Sequence, residues 1–268
     1  LHYLSPDRSR LNQYQEAIVG VAEVLSHYDT DQLFQVYGFG AQTGPRQPVS
    51  HCFSLTDDPT NANVCGIQGI HLAYTQALKG SKVVDITSYI KLDNTCHSIG
   101  IQYMFATEAK LLFSLLIWKI LFSGPTRFSP LIEQAVRQAS TLRGQKYMCL
   151  LILTDGVIMD MRPTIDSIVK ASELPISILI VGVGQADFSH METLDADNDC
   201  CKGRQQTRLR SSTGQLAQRD IVQFVEFQRF RDALSLPPGS SVGHELAKAL
   251  LAELPTQLVE YMTSHKIL

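Results

Sequence analysis

The chain lacks several features that would assign it to common functional classes. Its six cysteines include no Cys-x-x-Cys pair, and no histidine spacing completes a zinc set, so a structural zinc site is not expected. Six cysteines in 268 residues do not make a disulfide scaffold either, which favours a reducing compartment such as the cytosol. The formal net charge of -3 offers no positive excess for binding nucleic acid or for electrostatic anchoring at a membrane.

Targeting and membrane-spanning segments are also not apparent in the sequence. The first residues, Leu1–Pro6, have no basic start followed by an apolar stretch, so they do not indicate a signal peptide. The chain begins without Met, which suggests a fragment. The most apolar run, Leu111–Phe122, is shorter than the ~20 residues that a membrane-spanning helix needs. The sequence therefore predicts no transmembrane span.

Two apparent enzyme motifs fail in their sequence context. Gly239–Gly243 matches the Gly-x-Ser-x-Gly pattern of a hydrolase, but Pro237-Pro238 precedes it where that motif requires a strand. Ser240 or Ser241 is more simply explained as a helix cap. Gly182–Asp187 lacks the third glycine of a dinucleotide fingerprint, and no Gly-x-x-x-x-Gly-Lys-Ser/Thr phosphate loop occurs. Enzymatic function therefore has no positive support in the sequence.

The hydrophobic pattern is typical of an α/β protein. Hydrophobic residues make up 44% of the chain, enough for one sizeable domain or two small ones. Two continuous apolar runs, Tyr147–Leu153 and Ile176–Val183, predict strands buried on both faces. Because amphipathic helices alternate with these strands, we expect a mostly parallel sheet with helices on both faces. The other predicted elements are helices at Leu11–His27, Gly66–Leu78, Phe128–Leu142, Pro163–Ser172 and His244–Tyr261, and strands at Gln32–Phe39 and Ile221–Phe227.

The most informative polar residue is Asp155, in Leu153-Thr154-Asp155-Gly156 at the end of a predicted buried strand. In a parallel sheet ligands bind at the carboxyl ends of the strands, so Asp155 is a candidate ligand for a hard cation such as Mg²⁺. A turn aspartate bonded to its own backbone explains the same pattern. Thr126 lies before a predicted helix and should open on the same edge, where it is either a second oxygen ligand or a turn residue.

Six stretches, taken in order, resemble the von Willebrand factor A-type (vWA) domain of copines. Together they extend over essentially the whole chain outside one block and are more specific than any single motif. The resemblance implies a doubly wound, Rossmann-like α/β sheet. The stretches are Tyr37–Ala41, Cys65–Gly69, Gly124–Pro130, Leu150–Asp160, Ile180–Phe188 and Arg219–Phe224.

The resemblance also implies a function. In copines this domain is regarded as a non-enzymatic protein-interaction module with a metal-ion-dependent adhesion site (MIDAS), and Thr126 and Asp155 match two of that site's ligands. Calcium-dependent phospholipid binding belongs to two N-terminal domains of the family that this chain does not contain. We therefore expect intracellular protein partners, a cytoplasmic location, and calcium-dependent recruitment to the plasma membrane only for a full-length member. Mg²⁺ or another divalent cation is the implied cofactor, and Ca²⁺ acts at family level through the other domains.

Two departures from the family pattern change these expectations. The Asp-x-Thr/Ser-x-Ser loop and the central strand before it should lie just before Leu1, so the metal site is expected to be incomplete. Loss of a central strand would leave its two neighbours unpaired and predicts poor stability. In addition, residues 80–122 resemble nothing in the family. We therefore divide the chain into a vWA-type domain at 1–79 and 123–268 and an atypical insertion, either splice-derived or functional, at 80–122.

The sequence leaves two alternatives to this function open. One is a metal-dependent hydrolase that uses Asp155, which would need a second carboxylate such as Asp160 or Asp187 in the same crevice. The other is a non-functional isoform that cannot fold.

Overall fold

The computed structural model describes residues 2–5, 10–26, 29, 31–42, 47–56, 58, 60–78, 110–117, 126–195, 208–231 and 241–267. Within them the helices are α1 (Gln13–Leu25), α2 (Gly66–Leu78), α3 (Ser129–Ala139), α4 (Met161–Ala171), α5 (Ser189–Leu194), α6 (Gln228–Arg231), α7 (Val242–Leu250) and α8 (Leu254–Ser264). The strands are β1 (Leu33–Gly38), β2 (Ala41–Gln42), β3 (Val49–Ser50), β4 (Phe53–Ser54), β5 (Asn63–Cys65), β6 (Lys110–Ile117), β7 (Lys146–Thr154), β8 (Ile176–Gly182) and β9 (Val222–Glu226).

One seven-stranded sheet organises the described chain. Its strands follow the order β4-β1-β6-β7-β8-β9, and β5 pairs with β1 outside this path. The neighbours from β1 to β9 along the path are parallel, whereas β4 and β5 pair with β1 in the antiparallel sense. The predicted mixed α/β class with parallel strands is therefore confirmed, and β9 lies at the edge predicted for Ile221–Phe227.

The central strand of the sheet comes from the segment that the sequence interpretation set apart as an insertion. β6 pairs with β1 on one side, where Val36 is the Cα partner of Leu115, and with β7 on the other, from Lys110↔Lys146 to Ile117↔Leu153. The expectation that β1 and β7 would lack a partner is therefore wrong, because β6 supplies backbone donors and acceptors to both. The division into 1–79 with 123–268 and 80–122 remains a prediction, although Lys110–Ile117 of the last segment belongs to the same sheet.

Side chains of β7 and β8 alternate between two hydrophobic clusters. In β7, Tyr147, Cys149, Leu151 and Leu153 enter the first cluster, which residues of α1, α2, α7 and α8 complete. The intervening Met148, Leu150 and Ile152 enter the second cluster with residues of α3, α4 and α5. Successive side chains of a strand point to opposite faces, so a strand with apolar residues at every position is buried on both.

Two predicted helix boundaries need correction. The sequence predicts a helix over Phe128–Leu142, but α3 extends from Ser129 to Ala139, and Phe128 occupies the cap position without a side-chain hydrogen bond. The C-terminal helix is divided into α7 and α8, because Pro255 lies in the first turn of α8, where proline is tolerated. The prediction for Ser241 is confirmed, since its hydroxyl oxygen accepts a hydrogen bond from the backbone N–H of His244 at 3.1 Å.

A buried arginine connects the amino ends of the central strands to α8. The Arg219 guanidinium donates to the carbonyls of Leu174 and Ile176 and to the Tyr147 hydroxyl. It also lies 5.2 Å from the ring centroid of Tyr261 in α8. None of the described helices is long and apolar enough to cross a membrane.

Candidate functional site

Asp155 and Thr126 lie together at the carboxyl edge of the sheet. Asp155 directly follows β7, and the loop after it runs beside residue 126. Thr126 forms an isolated parallel bridge with Ile158, and its carbonyl accepts a hydrogen bond from the N–H of Met159 at 2.9 Å. The structure thus brings the two predicted site residues to one pair of adjacent loops, as the parallel topology required.

Gly156 allows the Thr126 side chain to approach this loop closely. A Cβ added to Gly156 would lie 2.7 Å from the Thr126 hydroxyl oxygen, closer than real Cβ contacts come. The Thr126 residue is itself buried, with 4% of its surface exposed. The hydroxyl therefore lies beside the residue that follows Asp155, and a larger residue there would force the Thr126 side chain or the loop to shift.

This contact predicts that substitutions of Gly156 and Thr126 have coupled effects on the free energy of unfolding. Gly156→Ala should lower the free energy of unfolding by about 1–3 kcal/mol, the usual cost of overpacking. In a Thr126→Ala background the nearest remaining atom is the residue 126 Cβ, at an ordinary 3.7 Å. We expect Gly156→Ala to cost at least ~1 kcal/mol less in that background, which a double-mutant cycle from urea unfolding measures. Equal costs in the two backgrounds would contradict the described packing.

Asp155 has a basic neighbour that the sequence interpretation missed. The His2 Nε2 atom lies 3.2 Å from Asp155 Oδ2, and the two side chains are 11% and 18% exposed. The His2 ring packs on Tyr14 of α1, with 4.3 Å between the ring centroids. Asp155 also contributes to raising the pKa of Tyr74, after desolvation by burial. Asp155 is thus engaged by an imidazole from the beginning of the chain.

Asp160 organises the same edge by capping α3 from the neighbouring loop. Its two carboxylate oxygens accept from the backbone N–H groups of Phe128 and Ser129 at 2.9 and 3.0 Å, and from the Ser129 hydroxyl at 2.7 Å. The Thr164 hydroxyl adds a bond at 3.2 Å. A carboxylate at a helix N-terminus satisfies backbone donors that lack partners within the helix. Asp160 therefore holds the residues after Thr126 in place.

Residues of the β3–β4 connection lie close enough to influence the site electrostatically. Burial, with the nearby Arg127 guanidinium, lowers the pKa of His51, while Asp160 acts in the opposite direction. Burial raises the pKa of the Cys52 thiol to about 11, so this cysteine is protonated and unreactive at neutral pH.

The loop after Asp155 exposes apolar side chains. Val157 is 39% and Met159 67% exposed, whereas Ile158 between them is 3% exposed and belongs to the second cluster. The pattern has the two-residue period of extended chain, with Ile158 inward and its neighbours outward. Arg127 and Arg162 are also exposed on the adjoining segments.

The described donor set fits a magnesium ion poorly. Thr126 and Asp155 supply one hydroxyl and one carboxylate, and the carboxylate is engaged by His2. No group of three or more His, Cys, Asp or Glu residues that could hold a metal occurs among the described residues. Mg²⁺ requires near-octahedral oxygen coordination and is usually held by carboxylates together with substrate phosphates and waters. The metal-ligand roles of Thr126 and Asp155 therefore stay predictions.

Sequence reasoning found Asp155 and Thr126 but missed the roles of His2 and Asp160. His2 and Asp155 are 153 positions apart in the chain, so no local sequence pattern reveals their contact. For Asp160 a signal existed, because an acidic residue in a loop beside a helix start is a common cap. Its partners at the start of α3, Phe128 and Ser129, are more than 30 positions away, so only the tertiary structure identifies them.

The sheet and its helices define the protein as a mixed α/β domain. Its candidate site lies in the loops at the carboxyl edge of the sheet that contain Thr126 and Asp155. Comparison with known proteins supplies the family. The family model described as Copine matches residues 1–118 and 107–268. Because these matches together span the whole chain, the protein belongs to the copine family.

Two plant relatives have similar sequences along the whole chain. Protein BONZAI 2 of Arabidopsis thaliana is 43% identical over 270 aligned positions, covering 100% of this chain and 36% of the relative. Protein BONZAI 1 of the same plant is 43% identical over 266 positions, covering 98% of this chain and 36% of the relative. The chain thus spans little more than a third of the length of these two relatives.

Proposed function

We propose that this chain is a non-enzymatic protein-interaction domain of a copine, with a vWA-type doubly wound arrangement. The observation that carries the proposal is the exposure of Val157 and Met159 at the carboxyl edge of the sheet, beside Thr126. Exposed apolar side chains next to a rigid strand end are well suited to bind another protein, because burying them gains free energy without ordering a flexible loop.

The charges around these side chains indicate the chemistry of the partner. The carboxylates of Asp155 and Asp160 are engaged by His2 and by the start of α3, respectively. Arg127 and Arg162 are exposed. A partner segment with apolar side chains and flanking carboxylates would therefore complement this surface.

A divalent cation at Thr126 and Asp155 is a further part of the proposal. With one hydroxyl and one carboxylate from the described residues, most positions around Mg²⁺ would be filled by water or by the partner. We therefore expect weak binding in which the cation competes with His2 for Asp155. If it binds, Thr126 and Asp155 would hold it, and it would supply a positive charge that attracts a carboxylate of the partner.

Properties of a full-length copine are proposed from the family resemblance alone. They are a cytoplasmic location, calcium-dependent phospholipid binding through parts of the protein outside this chain, and recruitment to the plasma membrane by those parts. For this chain by itself we propose binding to intracellular proteins, with neither nucleic acid nor lipid as its ligand.

The rival function is a metal-dependent hydrolase that uses Asp155. It needs a second carboxylate in the same crevice, and the two candidates are engaged in helix starts. Asp160 caps α3, and Asp187 accepts from the backbone N–H of Ser189 at the start of α5, which lowers the pKa of Asp187. These contacts favour the non-enzymatic function.

Paired substitutions test the interaction surface. Val157→Ser with Met159→Ser should lower partner binding at least tenfold, because two apolar side chains at the centre of an interface, at about 1 kcal/mol each, together exceed the ~1.4 kcal/mol of a tenfold change. The thermal midpoint should stay nearly unchanged, since both side chains are exposed. Binding is measured by quantitative mass spectrometry of proteins retained from cell extract on the immobilised chain, and by titration with the partners it identifies.

The matched control is Val259→Ser. Val259 is apolar and 50% exposed, but it lies on α8, away from the proposed surface in the chain. It should leave the retained proteins unchanged. If the double variant retains the same proteins as the unmodified chain, the proposed surface is wrong.

A further inference from the structure

We propose that the cleft between α4 and the loop before β9 binds the phosphoryl group of a phosphorylated serine or threonine in the partner protein. This inference rests on the proposed interaction function and specifies one chemical group that the partner presents. The cleft is lined by Arg162, Ile165, Arg210, Ser211 and Ser212, and its volume is about 300 Å³.

Two arginines from separate elements supply the charge of the cleft. Arg162 lies in the first turn of α4, and Arg210 lies in the loop before β9. Both are exposed, and neither is in an ion pair with any residue that the structure describes. A phosphoryl group carries a charge of about −1.5 to −2 at pH 7 and three acceptor oxygens. Two guanidinium groups therefore match it better than they match the single charge of a carboxylate.

The loop that carries Arg210 is held in a tight turn. The N–H of Ser211 donates to the Gln215 carbonyl at 2.8 Å, and the N–H of Gly214 donates to the Ser211 carbonyl at 2.9 Å. Gly214 has a φ of 90°, which glycine adopts readily. Nη1 of Arg210 donates to the Gly214 carbonyl at 3.0 Å. The guanidinium is thus oriented by its own loop and keeps further N–H groups for a ligand.

A contact between α4 and this loop fixes the separation of the two arginines. Asp166 accepts from the backbone N–H and from the hydroxyl of Ser212, each at 2.7 Å. These hydrogen bonds lower the pKa of Asp166, so its carboxylate stays ionised at pH 7 while both of its oxygens are occupied by Ser212. Asp166 lies one turn after Arg162, and Ser212 lies two positions after Arg210. The cleft is therefore pre-organised before an anion enters it.

The cleft adjoins the apolar side chains that carry the proposed interaction. Met159 is 67% exposed and lies three positions before Arg162. Between them, Asp160 directs its carboxylate to the start of α3, so it does not neutralise Arg162. A partner segment that covers Met159 can thus place a neighbouring phosphoserine in the cleft. An anionic membrane attracts clusters of roughly four to eight basic residues, and two arginines in a cleft fit a single phosphoryl group better.

NMR of the arginine side chains tests whether the two guanidinium groups share one anion. The chain is labelled with ¹⁵N and titrated in the cold at pH 7 with inorganic phosphate or with acetate at matched ionic strength. The Nε–H signals are assigned from Arg162→Gln and Arg210→Gln. We expect the Arg162 and Arg210 signals to shift with one common Kd, which for phosphate is at least about tenfold lower than for acetate.

The two single variants distinguish a shared site from two independent surface charges. In Arg162→Gln the Arg210 signal should no longer shift at phosphate concentrations that saturate the unmodified chain, and the converse should hold in Arg210→Gln. Arg143→Gln is the matched control, because Arg143 is also exposed and also donates to carbonyls of its own segment. It should leave both shifts intact. All three variants should keep the thermal midpoint of the unmodified chain, since the replaced side chains are exposed.

A second arm identifies the source of the phosphoryl group. A short peptide with phosphoserine between two leucines should bind at least about tenfold more tightly than its serine counterpart, and either arginine variant should remove this difference. Sedimentation with vesicles of phosphatidylserine and phosphatidylcholine should not depend on the two arginines. Vesicle binding that depends on them, without binding of the phosphopeptide, would assign the cleft to a membrane and overturn the proposal.

The proposal is also overturned if Arg210 responds to phosphate equally with and without Arg162, or if phosphate and acetate bind alike. The phosphate titration uses no partner protein. Its failure is therefore distinct from a failure of the interaction surface, which Val157→Ser with Met159→Ser tests.

Discussion

Leu115→Pro should abolish cooperative unfolding of this chain. Residue 115 lies within β6, with Val36 of β1 and Leu151 of β7 as its Cα partners on the two sides. Proline lacks the backbone N–H and is found in sheets only at edges, first positions and bulges, so β6 cannot keep its pairing with both neighbours. The cost should exceed about 3 kcal/mol, a large part of the 5–15 kcal/mol by which domains are stable.

Circular dichroism during thermal unfolding measures this effect, and Leu115→Val is the matched control. Valine keeps the N–H and favours extended backbone, so its midpoint should stay close to that of the unmodified chain. If Leu115→Pro unfolded cooperatively at the unmodified midpoint, β6 would not be a central strand. That outcome would favour the prediction that residues 80–122 are an atypical insertion.

Arg219→Met should lower the free energy of unfolding by on the order of 3 kcal/mol. Arg219 is 4% exposed, and it donates to the Leu174 and Ile176 carbonyls and to the Tyr147 hydroxyl. Methionine fills similar space but removes the guanidinium donor from these buried oxygens, although the Leu174 carbonyl keeps the N–H of Ile176 and the Tyr147 hydroxyl keeps Ser177. Each hydrogen bond that no water replaces costs up to about 1–3 kcal/mol. Burial also raises the pKa of Tyr147 to about 12, so its hydroxyl stays neutral at pH 7 and carries no charge to compensate the guanidinium.

Arg229→Met is the control for the Arg219 variant. The Arg229 side chain is 63% exposed, and its ion pairs with Glu192 and Glu226 lie at the surface. Such pairs contribute about 0–1 kcal/mol, so this variant should unfold almost as the unmodified chain does. Urea unfolding of both variants at pH 7 gives the comparison, and a loss below ~1 kcal/mol for Arg219→Met would contradict the described network.

Much of the fold follows from local sequence pattern. The α2 boundaries, Gly66–Leu78, agree at both ends with the prediction, and β7 and β8 were recognised as buried strands from their unbroken apolar runs. The division of the predicted helix His244–Tyr261 into α7 and α8 is explained by Pro255 in the first turn of α8. These features depend on neighbouring residues and are therefore visible in sequence.

The place of β6 could not be predicted in the same way. Its apolar run was noticed, but strand order depends on pairing between distant segments, and the family pattern reserved the central position for a strand before Leu1. An apolar run cannot by itself be assigned to a membrane surface, a partner or a sheet interior. Only the register with β1 and β7 assigns it to the sheet interior.

The sequence predicts only part of the candidate site, because the other part consists of contacts between segments that are distant in the chain. Asp155 and Thr126 follow from the rule that ligands bind at carboxyl ends of parallel strands. The contact of Asp155 with His2 and the cap that Asp160 provides for α3 depend on distant loops. The site therefore differs from the predicted cation site, because the Asp155 carboxylate contacts His2 and the Asp160 carboxylate caps α3.

Hydrogen exchange of the unmodified chain tests most directly whether β6 completes the sheet. If it does, the amides of Lys110–Ile117 should exchange only through global unfolding, with protection similar to that of Tyr147–Leu153 in β7. Mass spectrometry of peptic fragments at pH 7 resolves the two segments. Exchange of residues 110–117 within seconds, while β7 remains protected, would contradict the account.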